Sequence, residues 1–599
     1  MKAWSISTTL RSPDRVEDWT RGFEAFVGAT WDKPTQVAYQ TELIRLKAYE
    51  PQKFTEAQKQ VFEDSSSVMT AEMASQIFNQ QHYQDPPMRG RNSMAPIRSL
   101  GLVRVKPQIR LTEIGQSLLD GKLTLSDALL NFALKWELPI PGHGTFKESE
   151  GFYIRPFVGM LTLITEVNQQ WKSLGHEPVG LSRDEFNLFV PTLINAKDVS
   201  LYADRIIRIR KSTRGSMPSA RRKDGLETGF LSHLNNLPHS DDELTDKDLG
   251  TLRDYGDNAI RYFRPTGFIE FRGAGRFIDI SQASMAQVQQ LVGANQILPK
   301  GFETEDDYYD YVGDLEAYSP PWSEPSQVEE VKQYLRDLVM KEVADVTPIA
   351  MAKPQPASLI KGEDAEIVAL KNTLTNARLG KLKAASRTSE FVVELIEDYE
   401  LLKKKNYPGY LEAPVALEFN TFKAFLSLND ALTIQPNYPV GDDGEPISTA
   451  PGGGTDLYCE YESFGLSVEV TLSKGRSQWV MEGQPVQRHL RDIESKIDKP
   501  VFSLFLAPSL YPDTINTFWI ANVFGYEGGK QKIIPLNFDS WQAYLGAVTQ
   551  KIESGALRHT EMLEFFSWAM PAGDELQDSR IWAARINNED NLRELATKK

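Results

Sequence analysis

The stretch Ala450–Gly475 reads "APGGGTDLYCEYESFGLSVEVTLSKG", and it decides what the carboxyl-terminal part of the chain builds. Residues 456–461 and 466–472 alternate in side-chain character, which is the period of half-buried strands. The short "ESFG" segment between them predicts a hairpin. One face of the second strand is apolar, and the other carries Glu469 and Thr471, because successive strand side chains point to opposite faces.

Two carboxylates of this hairpin predict its chemistry. Asp456 opens the first strand and Glu469 lies on the second, so the turn can bring them together at one end of the sheet. Carboxylates held that close repel each other, and burying them unpaired would be costly. Mg²⁺ resolves the conflict, since it prefers carboxylate oxygen and is commonly completed by waters and substrate phosphate. The pair therefore predicts a metal site for phosphodiester hydrolysis.

The spacing of these acids resembles the Asp-then-Glu-x-Lys pattern of the PD-(D/E)XK nuclease fold. Thr471 stands where that pattern has lysine. The general base is therefore left open: Lys474 is close in sequence, and a water on the metal could serve without a lysine.

Two further acids could complete the site. Glu418 lies inside the apolar helical segment "PVALEFNTFKAF", from which a carboxylate could reach a neighbouring element. Glu482 lies just before the helix that Pro485 should start, since proline favours the first helical position.

A structural interpretation of the same residues stays open. Carboxylates on an exposed strand face are usually solvated, and "APGGGT" could be a flexible turn. His489 could be a capping or packed histidine rather than a base. The basic runs described below could be solvated loops.

Length and composition limit the class of protein. At 599 residues the chain should hold two to four domains, because single cores stop growing at about 250–300 residues. One cysteine excludes a disulfide framework, and seven histidines disfavour a zinc enzyme. No signal peptide and no apolar run of about 18 residues occur, so we expect a protein of the bacterial cytoplasm without a membrane partner. The absence of G-x-x-x-x-G-K-[ST] disfavours a nucleotide cofactor.

Charge is distributed unevenly along the chain, whose net charge is −16. Residues 1–285 hold 36 Lys and Arg against 35 Asp and Glu, whereas residues 286–599 hold 30 against 47. Two runs, 86–112 and 205–223, are rich in arginine and lysine and contain no carboxylate. Local basic stripes of this kind, rather than net charge, indicate phosphate binding.

The pattern of elements predicts a multidomain protein. Residues 1–285 are interpreted as an α+β recognition region of two winged-helix-like subdomains, since "LVRVKPQIRLTEIGQSLLDG" and "YFRPTGFIEFRGAGRFIDIS" both suggest paired strands. Residues 286–397 are acidic, proline-punctuated and helical, which is typical of a linker. Residues 398–599 alternate strands and helices, which predicts a C-terminal α/β domain with one mixed sheet covered on both faces.

Specific sequence segments then indicate a family. "TDLYCEYESFGLSVEVTLSKGRSQWVMEGQPVQRHL" resembles the catalytic segment of the AlwI family of Type IIS restriction endonucleases, which includes strand-specific nicking enzymes. The resemblance extends to "RYFRPTGF", "MAPIRSLGLV" and the opening "WSISTTLRSPDR", and so covers most of the chain.

The resemblance implies a set of site residues and a division of labour. It implies Mg²⁺ as the metal, and an N-terminal half that embraces a short asymmetric site in double-stranded DNA. "EVT" matches the family's own segment, so the absent lysine departs from the wider superfamily only. The residues implied for the catalytic and metal site are Asp456, Glu469, Val470, Glu482, Glu418 and His489.

Arginine is the residue type expected to read the DNA. Its fork can contact guanine O6 and N7, each such pair discriminating by about 1–3 kcal/mol, while other cations hold phosphates. The residues predicted to contact DNA are Arg89, Arg91, Arg98 and Arg264, followed by Arg205, Arg208, Arg210 and Lys211.

Three functional hypotheses follow. The first is a Mg²⁺-dependent Type IIS endonuclease, whose single metal site would need a second copy or a small subunit to cut both strands. The second is a strand-specific nicking enzyme or the large subunit of a heterodimeric restriction enzyme. The third, of another class, is a non-catalytic DNA-binding protein.

Overall fold

The computed structural model describes residues 2–63, 67–213, 219–234, 245–272, 276–343, 358–405, 407, 411, 413–428, 430–440, 444–446, 449–450 and 454–597. Contacts divide the chain into two compact units. The first unit comprises Met1–Thr55, Met69–Asp337 and Pro356–Lys371, and the second comprises Glu56–Val68, Leu338–Gln355 and Asn372–Lys599. The centre of the glycine-rich turn (451–453), the Gly turn at 273–275 and residues 214–218 of the second basic run lie outside the described residues.

The described residues are mainly helical. None of their helices is both long and apolar enough to cross a membrane. The helices are α1 (Val16–Arg21), α2 (Lys33–Arg45), α3 (Glu56–Glu63), α4 (Ala71–Gln80), α5 (Pro86–Ser99), α6 (Glu113–Leu119), α7 (Leu125–Lys135), α8 (Pro156–Ser173), α9 (Arg183–Thr192), α10 (Val199–Thr213), α11 (Ser219–Leu234), α12 (Asp246–Phe263), α13 (Met285–Gly293), α14 (Glu305–Val312), α15 (Pro325–Val343), α16 (Ala365–Ala385), α17 (Ser389–Lys403), α18 (Ala413–Ser427), α19 (Arg476–Glu482), α20 (Pro485–Glu494), α21 (Pro512–Val523), α22 (Phe538–Glu553), α23 (His559–Trp568), α24 (Ser579–Ile586) and α25 (Glu589–Thr597).

The strands of the described residues form three sheets, with two, three and five strands. The strands are β1 (Val103–Arg104), β2 (Arg110–Leu111), β3 (Leu181–Ser182), β4 (Ile269–Arg272), β5 (Phe277–Ile280), β6 (Thr433–Pro436), β7 (Leu457–Glu460), β8 (Gly465–Val470), β9 (Val501–Ala507) and β10 (Ile533–Asn537).

The two strand pairs that the sequence predicts in the first unit are present. β1 pairs antiparallel with β2, and Thr112 caps the following α6, its Oγ1 accepting from Gly115 N at 3.1 Å. β4 pairs antiparallel with β5, and β3 joins the other edge of β5. The winged-helix assignment of these pairs stays a prediction.

The segment 286–397, predicted to be a linker, is divided between the two units. Its acidic part forms α14, which packs within the first unit: Glu305 pairs with Arg98 at 2.8 Å, and the Val312 carbonyl accepts from Asn131 at 3.0 Å. Its last helix, α17, belongs to the second unit. The three-domain division at 285 and 397 stays a prediction.

The second unit contains the predicted mixed sheet, with strand order β10-β9-β8-β7-β6. β10, β9 and β8 run parallel, whereas β8, β7 and β6 are antiparallel. Helices cover both faces: Leu504 of β9 joins the core beneath α18 and α22, and its neighbour Phe505 joins the core beneath α20 and α21. β8, the strand that carries Glu469, therefore lies at the centre of the sheet.

The polar face of β8 is buried, which differs from the half-buried strand that the alternation predicts. Ser467 is fully buried and Glu469 is 5% exposed. The reason is that α20 packs on this face of β8 and β9. Alternation reports which side chains share a face, and the burial of that face depends on what packs against it.

Helix boundaries near the site follow local rules in part. α20 begins at Pro485 as predicted. α22 begins at Phe538 rather than at Ser540, because the Asn537 side chain caps it by accepting from Ser540 N at 2.8 Å. No helix was predicted from the sequence over α19.

Candidate active site

The end of the β7–β8 hairpin sets Asp456 and Glu469 against each other. Leu457 pairs with Val468 in the antiparallel register, so the next position along the two strands places Asp456 opposite Glu469. Thr455 closes this end, since its Oγ1 lies 2.9 Å from the Val468 carbonyl oxygen. The two acids identified from the sequence therefore share one end and one face of the sheet.

A backbone amide holds the first acid in place. Val470 N donates to Asp456 Oδ2 at 2.8 Å, so the last residue of β8 fixes the carboxylate that precedes β7. Val470, expected from the resemblance to contribute to the metal site, is thus a direct neighbour of Asp456.

His489 holds the second acid. Its Nδ1 lies 2.9 Å from Glu469 Oε1, and both side chains are buried. Burial lowers the pKa of His489, and the charge of Arg488 adds to this effect, so the ring favours its neutral form. When Glu469 is ionised, a neutral ring must donate through Nδ1, which leaves Nε2 as an acceptor. That nitrogen is buried and bonds to no atom of the described residues.

The two further acids also reach this end of the sheet. Glu418 lies on α18, and its Oε2 accepts from Ala450 N at 2.8 Å. Glu482 is the last residue of α19, and a hydrogen bond from Thr471 favours its ionised form. The charge of Asp456 acts on Glu418, and the charge of Glu482 acts on Glu469, so the four carboxyl groups form one electrostatic cluster.

Burial raises the pKa of every acid in this cluster, and repulsion by a neighbouring acid adds to it for Asp456, Glu469 and Glu418. The pKa of Asp456 is raised well above its usual value by burial and then by Glu469. The pKa of Glu469 is raised likewise by burial and then by Glu482, and burial raises the pKa of Glu482. The pKa of Glu418 is raised to about 9 by burial and by Asp456. A nearby positive charge would relieve this strain, because it favours the ionised forms.

The donor set is of the kind that Mg²⁺ accepts. Within the described ranges, no three His, Cys, Asp or Glu side chains converge closely enough to hold a metal by themselves. Mg²⁺ does not need such a cage, since it is usually bound by one or two carboxylates, several waters and substrate phosphate. Asp456 and Glu469 offer that pair.

The position at which the wider nuclease pattern has lysine is occupied differently. Thr471 is 8% exposed, its Oγ1 accepts from Ser473 N at 3.1 Å, and its hydroxyl bonds to Glu482. Lys474 is exposed. Thr471, at the position of the pattern's lysine, therefore contacts the carboxylate of Glu482.

The arginines of α5 that were predicted to contact DNA already contact other side chains of the protein. Arg91 donates to Gln36 at 3.0 Å and to Asp85 at 2.8 Å. Arg98 pairs with Glu305 of α14 and lies over the Tyr309 ring, with 4.3 Å between the guanidinium and the ring centroid. Arg89 lies over the Tyr83 ring at 4.4 Å. α14 also pairs with two neighbouring arginines of the same basic run, Arg104 and Arg110.

Two other predicted DNA contacts are buried. Arg264 is 5% exposed, pairs with Glu270 at 3.5 Å and lies over Phe271. Arg210 pairs with Glu185 at 2.6 Å inside the first unit and also donates to the Gly180 carbonyl. These two guanidinium groups could reach DNA only if the buried ion pairs opened.

The remaining predicted cations lie on α10. Arg208 and Lys211 are exposed, and Arg205 donates through Nε to the Gly229 carbonyl at 3.1 Å. Of the predicted set, Arg208 and Lys211 are exposed, and Arg91 also keeps 41% of its side chain exposed.

Two supports of the site were not predicted from the sequence. Thr455 bonds to the end of β8 and to Glu469, and the Ala450 amide bonds to Glu418. The signal for Thr455 was its place directly before Asp456 at a strand start. Ala450 carried no signal, since it acts through its backbone.

The chain is similar to restriction endonucleases. The model of the AlwI restriction endonuclease family matches residues 98–543, about three quarters of the chain, and this range includes all four acids and His489. A comparison with curated proteins gave no match. The small subunit (R.BspD6I2) of the heterodimeric restriction endonuclease R.BspD6I is similar at 24% identity over 32% of this chain and 96% of that chain, with a TM-score of 0.28. That score is too low to establish a shared fold.

The family match agrees with the resemblance first carried by the hairpin. It extends from the basic run of the first unit through the carboxylate cluster of the second. The chain therefore belongs to the AlwI restriction endonuclease family, and its role is that of a restriction endonuclease, a nuclease that hydrolyses DNA.

Proposed function

We propose that the chain is a Mg²⁺-dependent Type IIS endonuclease with a PD-(D/E)XK nuclease domain. Residues 1–285 bind a short asymmetric site in double-stranded DNA, and residues 398–599 hydrolyse a phosphodiester bond outside it. The observation that carries this proposal is the hairpin end at which half-buried Asp456 and buried Glu469 face each other, with both pKa values raised.

The metal would be held by Asp456, Glu469 and the backbone of Val470. When bound, Mg²⁺ supplies a Lewis acid that activates a water and offsets charge on the leaving oxygen. Val470 N keeps Asp456 turned into the site, and His489 keeps Glu469 in one orientation. Groups that orient metal ligands in this way typically contribute about 10- to 100-fold to metal affinity or activity.

Glu482 is the group we favour as proton acceptor for the attacking water. Its raised pKa makes the carboxylate a stronger base than an exposed glutamate, and Thr471 fixes it. Lys474 is exposed, and the pattern that usually supplies a lysine is absent here. Glu418 is the fourth acid of the cluster.

The predicted arginines divide into two roles under this proposal. Arg208 and Lys211 contact phosphates, since they are exposed on one helix. Arg89, Arg91 and Arg98 reach bases with guanidinium groups that neighbouring side chains already orient. An acidic cleavage region is repelled by DNA until cations bind, which suppresses cutting before the first unit has docked.

One carboxylate cluster cuts one strand at a time. The described residues contain one set of this kind around Asp456, which favours a strand-specific nicking activity for the isolated chain. Cleavage of both strands then requires a second copy or a small subunit.

Incubation of supercoiled plasmid with the protein and Mg²⁺ tests the proposal. Open circles alone indicate nicking, and linear product indicates cleavage of both strands. Sequencing of the ends returns site, strand and offset together. DNA binding without cleavage in Mg²⁺ would instead favour the non-catalytic hypothesis.

A further inference from the structure

α19 is a short helix that places one acid of the candidate site. It carries Glu482 at its last residue, yet it has only 7 residues. Isolated helices shorter than about 12 residues are marginal in water, so tertiary bonds must hold α19. It begins after Gly475, whose φ of 66° and ψ of −151° are tolerated almost only by glycine. The placement of Glu482 therefore depends on whatever fixes the first turn of α19.

Gln478 supplies that fixation. Its side chain is fully buried, its Nε2 donates to the Ser473 carbonyl at 2.9 Å and to the Ser509 carbonyl at 2.8 Å, and its Oε1 accepts from Tyr511 N at 2.9 Å. Ser473 belongs to the loop that follows β8, and the other two partners belong to the loop that follows β9. One amide thus ties α19 to the loops at the ends of two neighbouring strands.

A second tie acts on the next residue. Trp479 Nε1 donates to Thr517 Oγ1 of α21 at 2.9 Å. Gly483 allows the helix to end there, since a Cβ at that position would lie 2.6 Å from the Trp479 carbonyl oxygen. The helix is therefore fixed at one turn, and Glu482 projects from the next.

We propose that Gln478 is a positioning residue for DNA cleavage, which acts by holding α19 so that Glu482 meets Thr471 beside Asp456 and Glu469. The inference rests on the proposed function. Gln478 reaches the acids only through the backbone of Ser473 and of α19. Small displacements matter here, because a shift of about 1 Å in a catalytic group can cost about a hundredfold in rate.

A matched control separates positioning from general support. Asn522 is also a buried amide of the second unit, and its side chain bonds to both backbone groups of Ile533, at 2.7 Å and 2.8 Å. Ile533 begins β10 at the amino end of the parallel strands, whereas Glu469 lies at the carboxyl end of β8 and Asp456 lies opposite it. Asn522→Ala removes comparable bonds away from the acids.

The experiment measures single-turnover cleavage of plasmid DNA in Mg²⁺ for Gln478→Ala, Gln478→Glu, Trp479→Phe and Asn522→Ala. DNA binding is measured separately without divalent metal. We expect Gln478→Ala and Gln478→Glu to lower the rate constant at saturating DNA by tenfold or more, with full amplitude and DNA affinity within twofold. Trp479→Phe keeps an aromatic ring but removes the tie to Thr517, so its rate should fall less. Asn522→Ala should keep the wild-type rate constant.

The outcomes are distinct. A merely structural role lowers the amplitude, which reports the active fraction, and leaves the rate constant unchanged. An unchanged rate constant in the folded Gln478 variants overturns the inference. If neither Gln478 variant folds, a wild-type rate constant in Trp479→Phe overturns it. Absence of cleavage by the wild-type protein would instead contradict the proposed function.

Discussion

The hairpin end at Asp456 and the basic run 86–112 are equally conspicuous in the sequence, but they differ in how their side chains acquire a role. Asp456 and Glu469 face each other because one antiparallel register sets them there. Arg98, in contrast, is held by Glu305, more than 200 residues away. The lesson is that a pattern read within one strand pair determines geometry, whereas a run of like charges leaves its partners undetermined.

The largest effect should come from the hairpin acids. Asp456→Asn and Glu469→Gln remove the charge that would hold Mg²⁺, so we expect plasmid cleavage to fall by about 10³-fold or more while DNA binding persists. Glu460→Gln is the matched control, since Glu460 lies on the same face of β7 but pairs with Lys499 at 2.7 Å. If Glu460→Gln lost as much cleavage activity, the effect would come from the acidity of this strand face in general and not from the positions that the register gives Asp456 and Glu469.

Arg210 should affect stability rather than DNA binding. Its ion pair with Glu185 is buried, and removing one partner of a buried pair typically costs about 3–5 kcal/mol. Arg210→Met should therefore lower the midpoint of denaturant unfolding of the first unit. Glu185→Met should produce a similar loss. If Arg210→Met had unchanged stability but lost DNA affinity, Arg210 would be a DNA contact.

His489 tests how strongly cleavage depends on the side chain that holds Glu469. His489→Leu leaves Glu469 without its Nδ1 partner, and we expect a loss of about ten- to a hundredfold in cleavage rate. His489→Asn places an amide nitrogen near the former Nδ1 and should recover part of the rate. A rate in His489→Asn no better than in His489→Leu would assign the essential role to Nε2.

The pH dependence of stability tests the electrostatic cluster in the metal-free protein. The pKa of Glu418 is raised to about 9, so the folded protein keeps a proton that the unfolded chain releases near pH 4.5. The stability that this proton confers is present below about pH 4.5 and is lost as pH rises toward 9. The melting temperature should fall across that window, and Glu418→Gln should reduce the slope. An equal slope in the variant would show that Glu418 titrates normally.

The smallest effect should come from an exposed cation. Arg208→Gln removes one phosphate contact, so the slope of log binding constant against log salt should decrease by about one, with no change in stability. Thr251→Ala removes a hydroxyl that donates to the Lys247 carbonyl within α12, and it is a control for exposed polar changes of the same unit. A salt slope unaffected by Arg208→Gln would remove α10 from the DNA interface.

Much of the second unit follows from the sequence. The hairpin, the buried strand β9 and the start of α20 at Pro485 follow from short-range rules of alternation, apolar runs and capping. The carboxylates Asp456 and Glu469 follow from the same alternation.

What the sequence leaves undetermined depends on distant partners. The burial of Glu469 requires α20 on its face of the sheet, and the burial of Arg264 requires Glu270 and Phe271. α19 has too few residues for a periodic signal, and its anchor Gln478 acts through loops that follow two different strands. Such relations arise only when the chain has folded.

Titration calorimetry with Mn²⁺ as a stand-in for Mg²⁺ tests the central claim most directly. The account predicts that the wild-type protein and Glu460→Gln bind the ion alike, and that Asp456→Asn and Glu469→Gln lose this binding while remaining folded. Unchanged binding in both hairpin variants would contradict a metal site at the end of β7 and β8.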